Sequence, residues 1–309
     1  MDRLLVIGST GLVGSKIASL AENYGFEAYS TGNTRQTRTE RFSKLDITDQ
    51  KATGRLIRQI RPATVINAAA LTNVDYCESH REEAERVNVT GVRHIAEAAN
   101  EVRARVIHIS TDTVFDGERG QYSENDLPNP INYYSRTKLE SEKIVSRLSN
   151  YAIARPSVVY GYHSSPPSDG DGPTKALNFA MFVLDRIQRG DTVRAVTDQY
   201  SSPTFADSLA EGLLKLSSLS ENGIFHTAGR SCVNRYEFAI KLARIFGYPV
   251  ELVRPVLSSE LKQSARRPKN CCLKVVKAET LLKTRFSTIS QGIERMKDQI
   301  QSDSNADTR

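Results

Sequence analysis

The chain has 309 residues, of which 39% are hydrophobic, and a formal net charge of +6; that length and balance suit about two packed domains with a well-filled core. No apolar run approaches the ~18 residues of a membrane span, and Met1 leads into an apolar strand within three residues, so neither an anchor nor a cleaved leader is expected and a cytoplasmic location is the default. Residues 251–309 hold 12 Lys/Arg against 7 Asp/Glu, but these are spread among apolar residues, which reads as a solvated basic face or a clamp for an anionic small substrate, with no nucleic-acid surface expected.

The first strand, Arg3-Leu-Leu-Val-Ile7, runs straight into Gly8-Ser-Thr-Gly11-Leu-Val-Gly14. A continuous apolar run suits a parallel strand buried on both faces, and the glycines allow a tight turn whose backbone N–H groups approach a ligand. The helix that follows, Gly11 to Asn23, closes at Gly25 and points its positive end at that turn, where a pyrophosphate is the usual guest. The G-x-x-G-x-x-G spacing departs from the G-x-G-x-x-G fingerprint, and by itself it also suits a turn that binds nothing.

A short second strand, Glu27 to Thr31, leads into Thr31-Gly-Asn-Thr-Arg35-Gln-Thr-Arg38, with no acid before Glu40. An acid there takes a ribose 2′-hydroxyl, whereas an arginine accommodates a 2′-phosphate; Arg35 therefore predicts NADPH, with NADH as the alternative. Leu45-Asp46-Ile47-Thr48-Asp49 reads as a short strand with an N-cap, Ala52 to Ile60 as a helix, and Ala63 to Ala70 as a buried strand whose alanine tail leaves room for an adenosine or its phosphates. A long helix, His80 to Asn100, carries Ala84, Val87, Val92, Ile95, Ala96 and Ala99 inward, and Arg105 to Asp112 is the next strand and its edge, with Thr111 at the C-terminal end. The alternation predicts an α/β fold, a Rossmann-type doubly wound parallel sheet with ligands at the carboxyl ends of its strands.

A loop rich in Gly, Asn, Asp and Pro (116–132) delivers the helix Ser135 to Ser149, and Tyr151 to Arg155 follows as strand six. Pro156-Ser-Val-Val-Tyr-Gly161 leaves the sheet, and Ser164 to Pro173 is too rich in Pro, Gly, Ser and Asp for regular structure, so it reads as a flap or an insertion. Beyond it, helices at Asn178 to Arg189, Asp207 to Leu216 and Arg235 to Phe246 alternate with strands at Thr192 to Val196, Ile224 to Ala228 and Glu251 to Val256. The predicted division is an NAD(P)-binding domain over 1–157, rejoined by segments around 203–230, and a smaller C-terminal α/β substrate domain over 158–297. Residues 298–309 read as a polar, frayed tail.

Cys77, Cys232, Cys271 and Cys272 have no C-x-x-C spacing and two are neighbours, so reduced thiols are expected. The five histidines form no metal-binding pair, and no metal is assigned. Tyr134 and Lys138 lie four apart on one helical face. A tyrosine of ordinary pKa, ~10, is a poor proton shuttle near neutrality; an ammonium beside it favours the phenolate and is expected to lower that value, fitting it for acid–base work on a carbonyl. Of the twelve tyrosines only Tyr134 has a lysine four residues on. Its helix follows the strand that carries Thr111, so the three side chains should converge at the sheet's carboxyl edge, while Tyr133, rotated about 100° off that face, is structural.

Gly8 to Gly14, Asp46-Ile-Thr-Asp49, Val65-Ile-Asn-Ala-Ala-Ala70, His108-Ile-Ser-Thr-Asp112, Tyr134-x-x-x-Lys138, Arg155-Pro-Ser-Val-Val-Tyr-Gly161, Ser202-Pro-Thr204 and Ala265-Arg-Arg-Pro268 together resemble the extended short-chain dehydrogenase/reductases. Within them the pattern is most similar to the dTDP-4-dehydrorhamnose reductase group, over roughly residues 1–297. The resemblance implies an oxidoreductase that passes hydride from NAD(P)H to the C4 ketone of a nucleotide-linked 6-deoxysugar, a step of dTDP-rhamnose biosynthesis, with a homodimer left open. By the same resemblance Tyr134 protonates the developing alkoxide, Lys138 binds the nicotinamide ribose and holds Tyr134 acidic, and Thr111 bonds the carbonyl oxygen. Gly8, Thr10, Gly11, Leu12 and Val13 line the pyrophosphate, and Asp46, Ile47, Ala68, Ala69 and Ala70 the adenosine side. Asp112, Thr113, Val158 and Arg266 fall to the substrate.

The family pattern has an aromatic where this chain has Thr113, a tryptophan where it has Val158 and a tyrosine where it has Leu71. Two other readings therefore stand beside the reductase. One is a non-catalytic, dinucleotide-binding subunit similar to the regulatory subunit of methionine adenosyltransferase; the other is a sugar-nucleotide epimerase or dehydratase that recycles its nicotinamide, for which Thr113 stands where a dehydratase keeps a glutamate.

Overall fold

The computed structural model describes residues 1–34, 41–163 and 177–306. The first half runs β1 (Asp2–Ile7), α1 (Leu12–Leu20), β2 (Phe26–Gly32), β3 (Phe42–Lys44), α2 (Gln50–Ile60) and β4 (Thr64–Asn67). Next come α3 (Val74–Ser79), α4 (Arg81–Glu85), a π-turn at Arg86–Gly91, α5 (Val92–Glu101), β5 (Arg105–Ile109), α6 (Tyr133–Val145) and β6 (Tyr151–Arg155). The second half holds β7 (Val159–Tyr160), α7 (Phe179–Gln188), β8 (Val193–Val196), β9 (Tyr200–Ser201), β10 (Thr204–Phe205), α8 (Ala206–Ser217) and β11 (Gly223–His226). It closes with β12 (Val233–Asn234), α9 (Arg235–Phe246), β13 (Val253–Val256), α10 (Val276–Leu282) and α11 (Ile289–Ala306).

Seven strands form one parallel sheet in the order β11-β6-β5-β4-β1-β2-β3. The order reverses at β1, and in such a sheet the crevice for a ligand lies outside the carboxyl ends of the strands at that reversal, here β1 and β4. Side chains alternate across each strand. Leu5, Ile7, Val65, Val106 and Ile153 therefore pack under Ile57 of α2 and Ile95 of α5 on one face. Leu4, Val6, Ile66, Ile107 and Ala154 pack under Ile17 of α1 and Leu209 and Leu213 of α8 on the other. Late-sequence elements thus complete the first-half core: α8 covers the sheet beside α1, β11 adds its edge strand, and Ala278 and Leu282 of α10 join the same layer.

A second core gathers Tyr160, Val183, Leu184, Phe238, Leu242, Val253, Ile293 and Met296. It is flanked by the two-stranded pairs β7/β10 and β8/β13, both parallel, and the antiparallel pair β9/β12.

Four expectations change on contact with the structure. The strand read at Leu45–Asp49 falls at Phe42–Lys44 instead, because the Asp46 carboxylate takes the Thr48 N–H (2.9 Å) and hydroxyl (2.8 Å), bending the chain into a local turn. The long helix from His80 is interrupted by the π-turn, which rotates Asn88 inward. Cys232 and Cys272 form a disulfide across 40 residues, with Cα atoms 5.5 Å apart, while Cys77 and Cys271 stay as buried thiols. The neighbouring pair 271/272 is poor disulfide geometry, but that says nothing about a partner distant in sequence. Residues 298–306 continue α11: Gln299 donates to Asp207 (2.8 Å) and Tyr162 donates to Asp303, so contacts from other elements hold a segment whose polarity predicts fraying. The arginine expected to select a 2′-phosphate, Arg35, and the loop 164–173 lie outside the described residues.

Candidate active site

Ile7 ends β1, and Gly8 adopts a φ of 83°, a conformation costly for any residue with a Cβ. Gly8 and Ser9 both donate their N–H to Thr31 O (3.1 and 2.8 Å), tying the turn to β2. A Cβ at Gly8 would lie 2.8 Å from Ala69 N, and one at Gly14 would lie 2.2 Å from Gly8 O. Bare glycines therefore let the turn after β1 stack on the turn after β4 and let α1 start directly beneath it. The α1 ladder begins where Ser15 N–H donates to Gly11 O (2.9 Å), so the N–H groups of Leu12 and Val13 precede it and carry the positive end of the helix. A pyrophosphate fits this cradle, an anion against backbone donors with no side chain in the way.

The half-buried Ala68, Ala69 and Ala70 form the facing wall, and two asparagines hold it. Asn67 Oδ1 accepts the Ala69 N–H (3.1 Å); Asn88 accepts the Leu71 N–H (2.8 Å) and donates to Leu71 O and Thr137 Oγ1 (both 3.1 Å). Asp46 is exposed at the neighbouring turn, whereas the Ile47 side chain points into the core and its carbonyl contacts His94 Nδ1 (3.0 Å).

Beyond β5, Thr111 and Asp112 are buried side by side. The Thr111 hydroxyl donates to Asp112 Oδ1 (3.1 Å) and lies close enough to the Tyr134 phenol to act on its proton. Ser157 donates to Asp112 Oδ2 (2.6 Å), and Ser157 is itself fixed by its N–H to Thr204 Oγ1 (3.2 Å) and by the Ser202 N–H (3.1 Å). That is the structural use of the Ser202-Pro-Thr204 stretch. Burial pushes the Asp112 carboxyl up to about 6, against the hydrogen bonds from Ser157 and Thr111 and the nearby Arg235.

The α6 N-cap, Asn132, accepts the Ser135 N–H (2.9 Å) and donates to Arg266 O (3.0 Å), joining the start of this helix to the basic segment. Tyr134 sits in its first turn and Lys138 one turn further. Burial raises the Tyr134 phenol above its ordinary range, with buried Cys77 and Asp112 adding to the rise and the nearby Thr111 hydroxyl opposing it. This reverses the expected lowering by Lys138: desolvation sets the shift, and the Lys138 nitrogen lies instead 3.3 Å from His108 Nε2. Burial pushes Lys138 down to about 8, with Glu142 opposing.

On the substrate side, Thr113 accepts from Ser135 (2.7 Å), and Val158 holds a left-handed φ of 41°, strained for a β-branched residue. The Arg266 side chain is exposed, whereas Arg267 pairs with Asp75 (2.6 Å). Sequence reasoning passed over His108, Asn88, Ser157 and Arg235. Arg235 lies over the Phe179 ring (4.7 Å), close enough to Asp112 for the carboxylate to act on its charge. No group of three or more metal-ligating side chains occurs among the described residues, and no described helix is long and apolar enough to cross a membrane.

A dinucleotide cradle at the reversal of a parallel sheet, with a threonine and a Tyr-x-x-x-Lys helix at its carboxyl edge, defines the architecture of an extended short-chain dehydrogenase/reductase. Residues 1–302 match the RmlD substrate binding domain model, and the chain belongs to that family. It is 32% identical to the dTDP-4-dehydrorhamnose reductase of Aggregatibacter actinomycetemcomitans, over 90% of this chain and 92% of that protein. It is also 30% identical to methionine adenosyltransferase 2 subunit beta of Bos taurus, over 90% of this chain and 82% of that one. Among solved structures, the dTDP-4-dehydrorhamnose reductase from Bacillus anthracis str. Ames in complex with NADP aligns with a TM-score of 0.84 at 28% identity, over 96% of this chain and 99% of its own.

Proposed function

We propose that this chain is an NADPH-dependent reductase of the C4 ketone of a dTDP-linked 6-deoxysugar, of the dTDP-4-dehydrorhamnose type, with NADH as a second-choice cofactor and the cytoplasm as its setting. The observation that carries the reading is the Thr111 hydroxyl, buried beyond β5, lying close enough to the Tyr134 phenol at the start of α6 to act on its proton. A ketone oxygen placed between them would accept from Tyr134 and, with the Thr111 proton turned from Asp112 Oδ1 to the ketone, from Thr111, both aimed where negative charge develops.

Reduced nicotinamide supplies the hydride. Tyr134 carries its proton at neutral pH, as any phenol of ordinary or raised pKa does, and would be the general acid: its Oη–H bond breaks as the sugar alkoxide takes the proton, leaving a tyrosinate. Lys138, on the same face of α6, would offset that charge and would bind the nicotinamide ribose when the cofactor is held. Ser157 and Asp112 hold Thr111 in place. Gly8, Thr10, Gly11, Leu12 and Val13 would hold the pyrophosphate, and Ala68 to Ala70 with Asp46 the adenosine side.

The runner-up, a dinucleotide-binding subunit without chemistry, draws on the likeness to the methionine adenosyltransferase subunit and on the altered residues Leu71, Thr113 and Val158. Incubation of the protein with NADPH and a panel of nucleotide ketosugars separates the two. Oxidation of NADPH with the dTDP-4-keto-6-deoxysugar supports the reductase, and NADPH binding with no oxidation by any of the panel removes it.

A further inference from the structure

Behind Lys138 lies a polar chain whose middle members, His108 and Ser141, neither the cofactor cradle nor the proton donor uses. His108, on β5, is wholly buried, with Nδ1 3.2 Å from Asn67 Nδ2 and Nε2 2.9 Å from Ser141 Oγ and 3.3 Å from Lys138 Nζ. The direction of every hydrogen in this chain follows from its ends. Ala69 N–H donates to Asn67 Oδ1, so that oxygen is the carbonyl end and the amide nitrogen faces the ring. An amide nitrogen only donates, so Nδ1 accepts and the single ring proton sits on Nε2. At the other end Ser141 spends its own proton on Lys138 O (2.7 Å) and is left as an acceptor for Nε2–H.

The consequence falls on Lys138. Its nitrogen faces a ring N–H, which repels an ammonium hydrogen and welcomes an amine lone pair. We propose that His108, its proton fixed on Nε2 by Asn67, is a positioning residue that sets the charge state and direction of the Lys138 amine, linking the alanine wall to the α6 lysine. The proposal rests on Lys138 acting toward the cofactor.

Besides burial, Glu142 is the one charged neighbour among the described residues that acts on the Lys138 charge, and it raises the lysine's pKa. Glu142, one turn on, is held by Arg155 of β6 through two bonds (2.9 and 2.6 Å). Tyr134 and Cys77 of α3 are driven to their neutral forms by burial, and Asp112 is engaged by Ser157 and Thr111. On α4, Glu85 is turned to the Tyr133 hydroxyl; the π-turn presents neutral Asn88, and the buried residues of α5 are apolar. Burial and Lys138 keep His108 itself far below its ordinary range, so the ring stays neutral through the pH interval of interest.

The test is the pH dependence of NADPH affinity, read by fluorescence titration without any sugar. In the native protein the affinity falls as Lys138 loses its charge near pH 8, by roughly tenfold for a charged hydrogen bond. His108→Gln places an amide that can turn its carbonyl to the lysine, and the inflection moves up by about half a pH unit or more. Ser141→Ala leaves Nε2–H with the Lys138 nitrogen as its one acceptor, and the inflection moves down by a similar amount. Opposite displacements support the proposal. An inflection that stays put in Ser141→Ala overturns it, even where His108→Gln fails to fold. Lys138→Ala separates the two levels: if the inflection persists there, it is the role of Lys138 that fails; if it vanishes there while the other variants leave it unmoved, only the role of His108 fails.

Discussion

The two walls proposed for the crevice, one for the cofactor and one for the substrate, are built by opposite means. The cofactor wall consists of backbone: Gly8, Gly14 and Ala68 to Ala70 act through the side chains they lack, and contacts as close as 2.2 Å for an added Cβ leave almost no freedom of substitution. The substrate wall consists of side chains that converge from distant stretches, with Thr113 beyond β5, Val158 beyond β6, Arg235 at the head of α9 and the Ala265–Pro268 segment. A fold that constrains one wall by packing and the other only by reach will keep its cofactor while its sugar specificity drifts; of the three departures, Thr113 and Val158 lie on the substrate side, whereas Leu71 continues the alanine wall held by Asn88.

Tyr134→Phe gives the sharpest break between the walls. Loss of the general acid should lower kcat by ~10²–10⁴ while NADPH affinity stays within a few-fold of native; equal loss of both in a titration and a turnover assay would place Tyr134 in the cofactor wall instead. Next in size, Cys232→Ser opens the link that ties the loop ahead of β12 to the strip beside the basic segment. Closing 40 residues is worth on the order of 2–4 kcal/mol, so the melting temperature should drop, and a reductant should reproduce the drop in the native protein but not in the variant. Gly8→Ala attacks the other wall: a Cβ at φ 83° costs about 1–2 kcal/mol before its clash with Ala69, and NADPH affinity should fall about tenfold or more.

The smallest effect is one of pH. Asp112 titrates at about 6 when folded, above its ordinary 3.8, so the folded state binds the proton more tightly than the unfolded chain. Its protonated form therefore favours folding at low pH, and that advantage is lost as the pH rises from about 4 through 6. The melting temperature of the native protein relative to Asp112→Asn should decline across that interval by roughly 2–4 °C. A flat difference would mean that the Asp112 carboxylate is better solvated than its burial indicates.

The same contrast governs what could be read before the structure. The strand–turn–helix at Gly8 was legible because glycine spacing and an apolar run each have one cheap solution, and β6 and α9 matched residue for residue because caps and periodicity agreed there. The thiol pairing was not legible, since Cys232 and Cys272 meet only once β12 and the 270s are packed together. Nor was the state of Tyr134: the i, i+4 lysine is visible in the sequence, but the desolvation that overrides it comes from the surrounding core. His108 read as one more residue of a buried strand, and its role emerges only from the directions of three hydrogen bonds. The tail looked frayed because polar residues dominate it, although Ile289, Ile293, Met296 and Ile300 keep one face of α11 on the second core.

The most direct test of the central claim follows the hydride itself. The native protein is incubated with NADPH carrying deuterium at the transferable C4 position of the nicotinamide and with the dTDP-linked 4-keto-6-deoxysugar, and the sugar nucleotide is examined by NMR and mass spectrometry. The reductase reading predicts one deuterium on the sugar C4 of an alcohol product. Recovery of the ketone unlabelled, beside intact bound NADPH, would contradict it.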